Sequence, residues 1–240
     1  MKKIITILAL VALTTVSAKA IDVSNFSLTA GYAANQSVFG ASARQDGYNA
    51  AGTSIDITDK QTGVFEDSYG SYLVELGIGK YLSIGYEHTP DSISTPTNVN
   101  DGGAGGGGSE GELTSTLTVD FNDLNTTYAK LNLPFMDGAY VKTGVVETSI
   151  DIKETQLSGN TYANKDVSGT MVGGGYQKQI GETGFDLRFE AAYTQLDNVT
   201  TNNGVVKTAG TGINNHKEVK ATNLQGLTGK IAITYTFGRN

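Results

Sequence analysis

The chain has 240 residues, of which 31 are glycine, 38% are hydrophobic and none is cysteine or tryptophan, and its formal net charge is −7. The lack of cysteine excludes disulfides, thiolate metal sites and thiol-attached haem or lipid. Glycine at nearly twice its usual share of about 7% argues against a compact helical enzyme. The acidic balance argues against a nucleic-acid partner, which requires a basic surface.

The first twenty residues have the pattern of an export signal. The segment begins with two lysines, continues with the mainly apolar residues 4–16 and ends in the cleavage-like sequence Ala18-Lys19-Ala20. A membrane anchor would need about 20 apolar residues, and this segment is shorter. We therefore expect residues 1–20 to be a cleaved signal peptide. Residues 21–240 then form one domain with 14 basic and 24 acidic side chains.

Alternation of apolar and polar residues dominates the rest of the chain, and no stretch shows the apolar period and caps of a helix. The apolar series of eight predicted strands are Phe26, Leu28, Ala30, Tyr32; Tyr72, Val74, Leu76, Ile78; Leu82, Ile84, Tyr86; Ala129, Leu131, Leu133; Val141, Thr143, Val145; Val172, Tyr176, Ile180; Phe185, Leu187, Phe189, Ala191, Tyr193; and Leu227, Gly229, Ile231, Ile233, Tyr235, Phe237. This period is typical of strands with one apolar face. In the fifth strand the apolar parity changes at Val146, Ile150 and Ile152, which predicts a bulge or an end to regular pairing there.

The connections between these strands alternate in length. Those after strands two, four and six are turns of a few residues, whereas those after strands one, three, five and seven are long and polar: 34–69, 89–112, 154–168 and 197–222. A closed outer-membrane sheet has short periplasmic turns and long external loops, and a soluble β-sandwich has no reason for this sorting. The sequence therefore predicts an all-β fold, an eight-stranded antiparallel up-and-down transmembrane β-barrel.

Aromatic residues fall near both ends of the predicted strands. Those at the turn end are Phe26, Tyr81, Phe135, Phe185 and Phe237, and those at the loop end are Tyr32, Tyr72, Tyr86 and Tyr193. Two aromatic girdles at the membrane interfaces account for this distribution. Ordinary packing of aromatic side chains on a sheet is the alternative.

The last strand, with Ile231, Ile233, Tyr235 and Phe237 at alternate positions, resembles the terminal assembly signal of outer-membrane proteins. With the loop alternation and the apolar strand faces, it makes the chain similar to the small eight-stranded outer-membrane β-barrels of the OmpA/OmpX type, which include opacity-like surface barrels. The resemblance implies a location in the outer membrane, assembly by the barrel-assembly machinery, and contact with membrane lipid and lipopolysaccharide. It also implies a monomer with both termini in the periplasm.

If the apolar strand faces meet lipid, the opposite faces point into the barrel. Their charged residues are Glu75, Glu87, Lys130, Lys142, Arg188, Glu190 and Lys230. Charges inside a narrow barrel must be paired or hydrated, because an isolated buried charge is costly. Since side chains fill the interior of an eight-stranded barrel, we favour a salt-bridged plug over a polar conduit for solutes.

No catalytic, cofactor-binding or metal site is predicted. Residues 103–108 fit G-x-G-x-x-G, but no helix or Lys-Ser/Thr follows, which favours a flexible loop. His88 lies near Asp91 and Ser92 on a loop rim and forms no recognisable catalytic triad. The first long loop carries the acidic residues Asp46, Asp56, Asp59, Glu66 and Asp67. They are interpreted as solvated charge rather than as a weak Ca²⁺ site.

The sequence thus favours a structural or surface-contact role for an outer-membrane barrel with a charged, closed interior. One alternative is a narrow porin-like barrel or a barrel that transports hydrophobic solutes. Another is adhesion or recognition, in which a surface ligand contacts the four long loops. An enzyme is not expected.

Overall fold

The computed structural model describes residues 26–48, 54–102, 113–155, 162–205 and 216–237. The predicted signal peptide and the glycine-rich segment 103–108 lie outside these ranges. The strands are β1 (Phe26–Tyr48), β2 (Ile55–Ile78), β3 (Leu82–Thr89), β4 (Ile93–Ser94), β5 (Asn98–Gly102), β6 (Leu113–Asn132), β7 (Ala139–Thr155), β8 (Lys165–Gln179), β9 (Phe185–Leu196), β10 (Val199–Asn202) and β11 (Lys217–Phe237). Among the described residues, no helix is long and apolar enough to cross a membrane.

Eight of the strands form a closed antiparallel ring in the order β1-β2-β3-β6-β7-β8-β9-β11, and β11 pairs with β1 to close it. The short strands β4 and β5 pair with β6 beyond the end of β3, and β10 pairs with β11 beyond the end of β9. Closure leaves no free sheet edge in the ring. The predicted eight-stranded up-and-down barrel is confirmed.

The connections predicted as long polar loops are shorter than the sequence pattern suggests, because the barrel strands continue into those segments. β1 has 23 residues and β2 has 24, whereas crossing a membrane takes about 9–11 residues. The two strands pair from Phe26 and Ile78 up to Tyr48 and Ile55, so most of 34–69 is a strand hairpin. Parts of 89–112, 154–168 and 197–222 are also strand. Ser, Thr, Gly and Asn on both faces of these stretches hide the strand alternation, so the sequence pattern predicts loops there.

The fifth predicted strand is β7, and the irregularity predicted for it lies in the neighbouring strand β6. β7 runs without a break, and the register shift falls in β6 between Asn122 and Asn125. Along β7 the apolar residues change from the outward to the inward face, because the lower part of the strand has its apolar side chains on the outer surface and the upper part has them in the interior. Val145 points outward and is 51% exposed, whereas Val146 and Ile150 point inward and are buried.

A second register shift lies in β11, where Thr222 pairs with Ser42 and Gln225 pairs with Gly40. Both shifts contain a residue with positive φ: Asp123 in β6 at 52° and Asn223 in β11 at 54°. β6 and β11 are four strands apart in either direction around the ring. These two shifts are therefore bulges on opposite walls of the barrel. Among the described residues, a third register shift lies between Gly47 and Tyr48, at the end of the pairing of β1 with β2.

The barrel divides into two halves at the level of Tyr32, Tyr72, Tyr86 and Tyr193. In the membrane half, between these tyrosines and the short turns, the exposed outer side chains are apolar; they include Leu28, Val74, Ile84, Leu131, Val141, Phe189, Ile231 and Ile233. In the external half a cluster of apolar side chains is buried inside the wall, formed by Ile150, Ile152, Tyr162, Val167, Val199, Val219 and Leu224. An apolar outer band suits lipid, and an apolar inner cluster suits a wall surrounded by water.

The predicted aromatic residues border the outer apolar band. At the upper border the rings of Tyr32 and Tyr72 pack edge to face with centroids 5.3 Å apart. At the lower border Tyr235 packs against both Phe185 and Phe237, with centroids 4.9 and 4.6 Å away. These rings lie where amphipathic aromatic side chains favour a membrane interface.

Candidate functional site

All seven charged residues predicted for the interior lie together in the lumen of the membrane half. The relative exposure of their side chains is 9% or less. They come from six strands, β2, β3, β6, β7, β9 and β11, because the inward parity of each strand places a charge at similar depth. We call these seven residues the ionic network. It has two layers.

The layer nearer the short turns is built around Glu75. Arg188 binds it with both terminal nitrogens, Nη1 to Oε1 at 2.7 Å and Nη2 to Oε2 at 2.8 Å. Lys130 donates to Oε2 at 2.6 Å, and the hydroxyl of Tyr128 donates to Oε1 at 2.9 Å. Bidentate pairing with arginine is among the strongest hydrogen-bonded arrangements of a carboxylate. This layer carries two positive charges against one negative charge.

The upper layer joins two carboxylates to two ammonium groups. Lys230 donates to both oxygens of Glu87 at 2.6 Å and lies 3.3 Å from Glu190. Lys142 donates to Glu87 at 3.2 Å and to Glu190 at 3.0 Å. Ser71 also donates to Glu87, at 2.7 Å. Each acid therefore contacts both bases, and the layer is neutral.

Two tyrosines that are not among the predicted interior charges, Tyr128 and Tyr140, complete the network. Lys142 Nζ lies 3.8 Å from the ring centroid of Tyr128, and the hydroxyl of Tyr140 donates to Glu190 at 3.1 Å. Glycines make room for both rings. A Cβ on Gly85 would lie 2.6 Å from the Tyr128 hydroxyl, and one on Gly175 would lie 2.6 Å from the Tyr140 hydroxyl. Two features of the sequence could identify these tyrosines. Each lies at an inward position of its strand, and each faces an inward glycine on the neighbouring strand.

Above the ionic network the lumen widens into a partly open cavity. Glu87, Lys142, Glu190 and Lys230 form its floor. Its walls belong to the external half and are mainly apolar, with Phe39, Phe65, Ile93, Phe121, Met171 and Leu224 among the lining residues. We call this space the external cavity.

The histidine, the serine and the loop acid Asp46 discussed under the sequence do not come together in one site but contact different partners. His88 Nδ1 is hydrogen bonded to Asn125 at 2.8 Å, and the Ser92 hydroxyl donates to Asn122. Asp46 is paired with Arg44 at 2.7 Å. Within the described ranges, no three His, Cys, Asp or Glu side chains are placed to hold a metal ion. The absence of a catalytic site and of a cofactor stays a prediction.

The predicted assembly signal lies on the outer face of β11. Ile231, Ile233 and Phe237 are each more than half exposed, at 53%, 54% and 53%. Tyr235 packs between Phe185 and Phe237. β11 is also the strand that closes the barrel against β1. Recognition of this strand by the assembly machinery stays a prediction.

No protein-family model matches the sequence, and no curated protein is significantly similar to it. Among solved structures, the outer membrane protein OprG from Pseudomonas aeruginosa is similar with a TM-score of 0.51 and 10% identity, over 86% of this chain and 96% of OprG. The outer membrane protein AlkL aligns with a TM-score of 0.49 and 10% identity, over 92% of this chain and 94% of AlkL. The outer membrane protease OmpT from Escherichia coli aligns with a TM-score of 0.38 and 11% identity, over 86% and 97%. The likeness to OprG, together with the closed eight-stranded ring and its outward apolar band, leads to the conclusion that this chain has the fold of the small eight-stranded outer-membrane β-barrel proteins.

Proposed function

We propose that the protein is a closed barrel that holds four extended β-hairpins at the cell surface, with a structural or surface-contact role. The ionic network is the observation that supports closure. Its seven charges are all paired, and they join six of the eight strands of the ring across the lumen. In this proposal the outer band contacts lipid and lipopolysaccharide, and the barrel is a monomer inserted by the barrel-assembly machinery.

Solute passage would require the two layers of the network to separate. An eight-stranded barrel has an interior just wide enough for side chains to fill. Here Arg188 and the buried rings of Tyr128 and Tyr140 occupy it. Removing one partner from a buried ion pair leaves an uncompensated charge, which costs about 3–5 kcal/mol. A polar conduit is therefore the less favourable function for this interior.

The external hairpins support the surface-contact part of the proposal. β1 and β2 remain paired residue by residue well above the upper tyrosines. On the inner face, Ala41 of β1 packs against the apolar cluster of the external half, and the ring of Phe39 stacks on that of Phe65 in β2. These contacts hold the hairpin as an extension of the barrel wall. Outward side chains such as Gln36, Glu66 and Ser68 are exposed. Such a wall presents a polar surface rather than an irregular loop to a partner.

Planar bilayer recordings test closure directly. Purified wild-type protein is expected to show no steady ion current above that of the empty bilayer. A double variant, Glu75→Ala with Arg188→Ala, removes two lumen-filling side chains together with their charges, and is expected to conduct. Protease protection in vesicles of the same lipid confirms that both proteins are inserted. Steady unitary currents from the wild type would overturn the proposal.

A further inference from the structure

We propose that the external cavity is a binding site for a small neutral amphiphile, a molecule with an apolar body and an uncharged hydrogen-bonding head. A ligand would enter this cavity from the outside and would not pass through the ionic network. Binding there is therefore a property separate from the closed-barrel function proposed above. Three features of the cavity carry this inference: its walls, the two bulges and its floor.

The walls are suited to an apolar body. The rings of Phe39 and Phe65 stack with centroids 5.1 Å apart on the wall formed by β1 and β2. Phe121, Met171 and Leu196 line other walls. Pockets of this kind bind mainly through apolar contact, and a few polar groups orient the ligand.

The two bulges each deliver a leucine to this cavity from opposite walls. Asp123 and Asn223 have positive φ, and each is followed by a leucine, Leu124 or Leu224, that lines the cavity. Few residue types adopt this backbone conformation readily, and Asp and Asn are among them. Bulges beside binding sites redirect side chains in this way. Their repetition on both walls indicates a built site rather than a packing gap.

The floor selects an uncharged head. Glu87, Glu190, Lys142 and Lys230 neutralise one another at 2.6–3.3 Å. A carboxylate on the ligand would lie beside the two acids, and an ammonium group would lie beside the two lysines. Either charge would have to displace an existing ion pair. A hydroxyl or amide can instead accept or donate a hydrogen bond at the floor and leave the four charges paired.

The chain contains no tryptophan, so one introduced indole reports on one place. Phe121→Trp puts the reporter in the cavity wall, and Phe189→Trp puts it on the lipid-facing surface, where Phe189 is 49% exposed. Both variants are reconstituted in lipid nanodiscs and titrated at pH 8 with 11-bromoundecan-1-ol, 11-bromoundecanoate and 11-bromoundecylamine. Bromine quenches indole fluorescence only at close range.

The cavity reporter is expected to be quenched saturably by the bromoalcohol. Half-quenching should occur at a concentration at least tenfold lower than for the acid or the amine, and unbrominated undecan-1-ol should reverse it. The lipid-facing reporter should be quenched in proportion to the probe in the bilayer, without saturation. Unsaturable quenching of both reporters would overturn the site. Equal or tighter binding of the acid or the amine would overturn the neutral head.

Filling the cavity gives a matched test on adjacent residues. Ala192 lines the cavity, whereas its neighbour Ala191 points outward. In the Phe121→Trp background, Ala192→Leu should weaken binding of the bromoalcohol about tenfold, and Ala191→Leu should leave it unchanged. If Ala192→Leu does not fold, the pair Val146→Leu and Val145→Leu makes the same comparison on β7. Equal binding by the filled and control variants would contradict the assignment, whatever the conductance of the barrel.

Discussion

The two halves of the barrel are built from the same strands, but they differ in which face of a strand carries its buried or lipid-facing apolar residues. On β7, Val145 is 51% exposed on the outside of the membrane half, and the next residue, Val146, is 2% exposed inside the lumen. On this strand Val141 and Val145 face outward, and beyond them Val146, Ile150 and Ile152 face inward. The difference shows that the medium around the wall, lipid or water, decides which face of a strand is apolar.

The lysines of β7 show the opposite distribution, since the one in the membrane half is buried in the lumen and the one in the external half is exposed. Lys142 points into the membrane half and is held by two carboxylates, and its side chain is only 2% exposed. Lys153 lies in the external half, is 60% exposed and pairs with Asp120. A buried ammonium group needs several partners to offset the loss of water, whereas an exposed one needs none. Substitutions in the two halves should therefore have very different effects.

The largest effect is expected when the ionic network loses its central acid. Glu75→Ala leaves Arg188 and Lys130 buried without their carboxylate, and should lower the free energy of unfolding by about 3–5 kcal/mol. Urea titration of the barrel in lipid vesicles measures this loss. Glu66→Ala is the control on the same strand, because Glu66 is exposed in the external half. Similar losses for the two variants would mean that the network contributes no more than a surface charge.

The outer faces of the two halves can be compared with one substitution. Ile84 is 49% exposed in the membrane half and Val64 is 73% exposed in the external half. Ile84→Arg should destabilise the barrel by about 2–4 kcal/mol, the cost of a charge near the bilayer midplane, and Val64→Arg should have little effect. The same urea titration measures both. A large cost at Val64 would place the lipid boundary higher than the upper tyrosines.

The sequence alone predicts the membrane half well. Alternation from Phe185 to Tyr193 has no exception, because every second residue of that strand meets lipid. The same parity identifies all seven interior charges. It cannot say which charges pair. Glu75 pairs with Arg188, which lies 113 residues later in the chain. The two side chains meet because they lie at the same depth in the barrel, and that depth is set by the stagger between strands when the ring closes.

The external half was harder to predict because its inner face is apolar while its sequence stays rich in Ser, Thr and Asn. Val146, Ile150 and Ile152 are in phase with the inward face of β7, but an apolar-outward rule makes them look like a break. The bulges at Asp123 and Asn223 hide the period of β6 and β11 in the same way. The external cavity depends on both features, so no sequence pattern identified it.

A smaller effect tests whether the external half opens separately. Ile150→Val removes one methylene from the inner apolar cluster and should cost about 1 kcal/mol. If the external half opens as its own unit, amides near Val167 and Val219 should exchange with solvent roughly fivefold faster, while those of the membrane half keep their rates. Hydrogen exchange measured by mass spectrometry reports both. The lipid-facing control Ile84→Val should leave the external amides unchanged, and uniform acceleration by Ile150→Val would show that the halves unfold together.

The smallest effect is expected at the ion pair between the exposed Lys153 and the buried Asp120 of the external half. Burial of the Asp120 carboxyl acts to raise its pKa, but hydrogen bonds from Lys153 and Ser94 and the charge of Lys153 outweigh it, so the pKa lies below its usual value. A lowered pKa means that the pair stabilises the fold above the usual aspartate pKa of about 3.9 and loses this contribution as the pH falls further. Lys153→Ala should therefore lower the urea midpoint at pH 7 by less than Ile150→Val does. The difference from the wild type should vanish once Asp120 is protonated, and a difference that persists below that pKa would show that Lys153 acts through packing rather than charge.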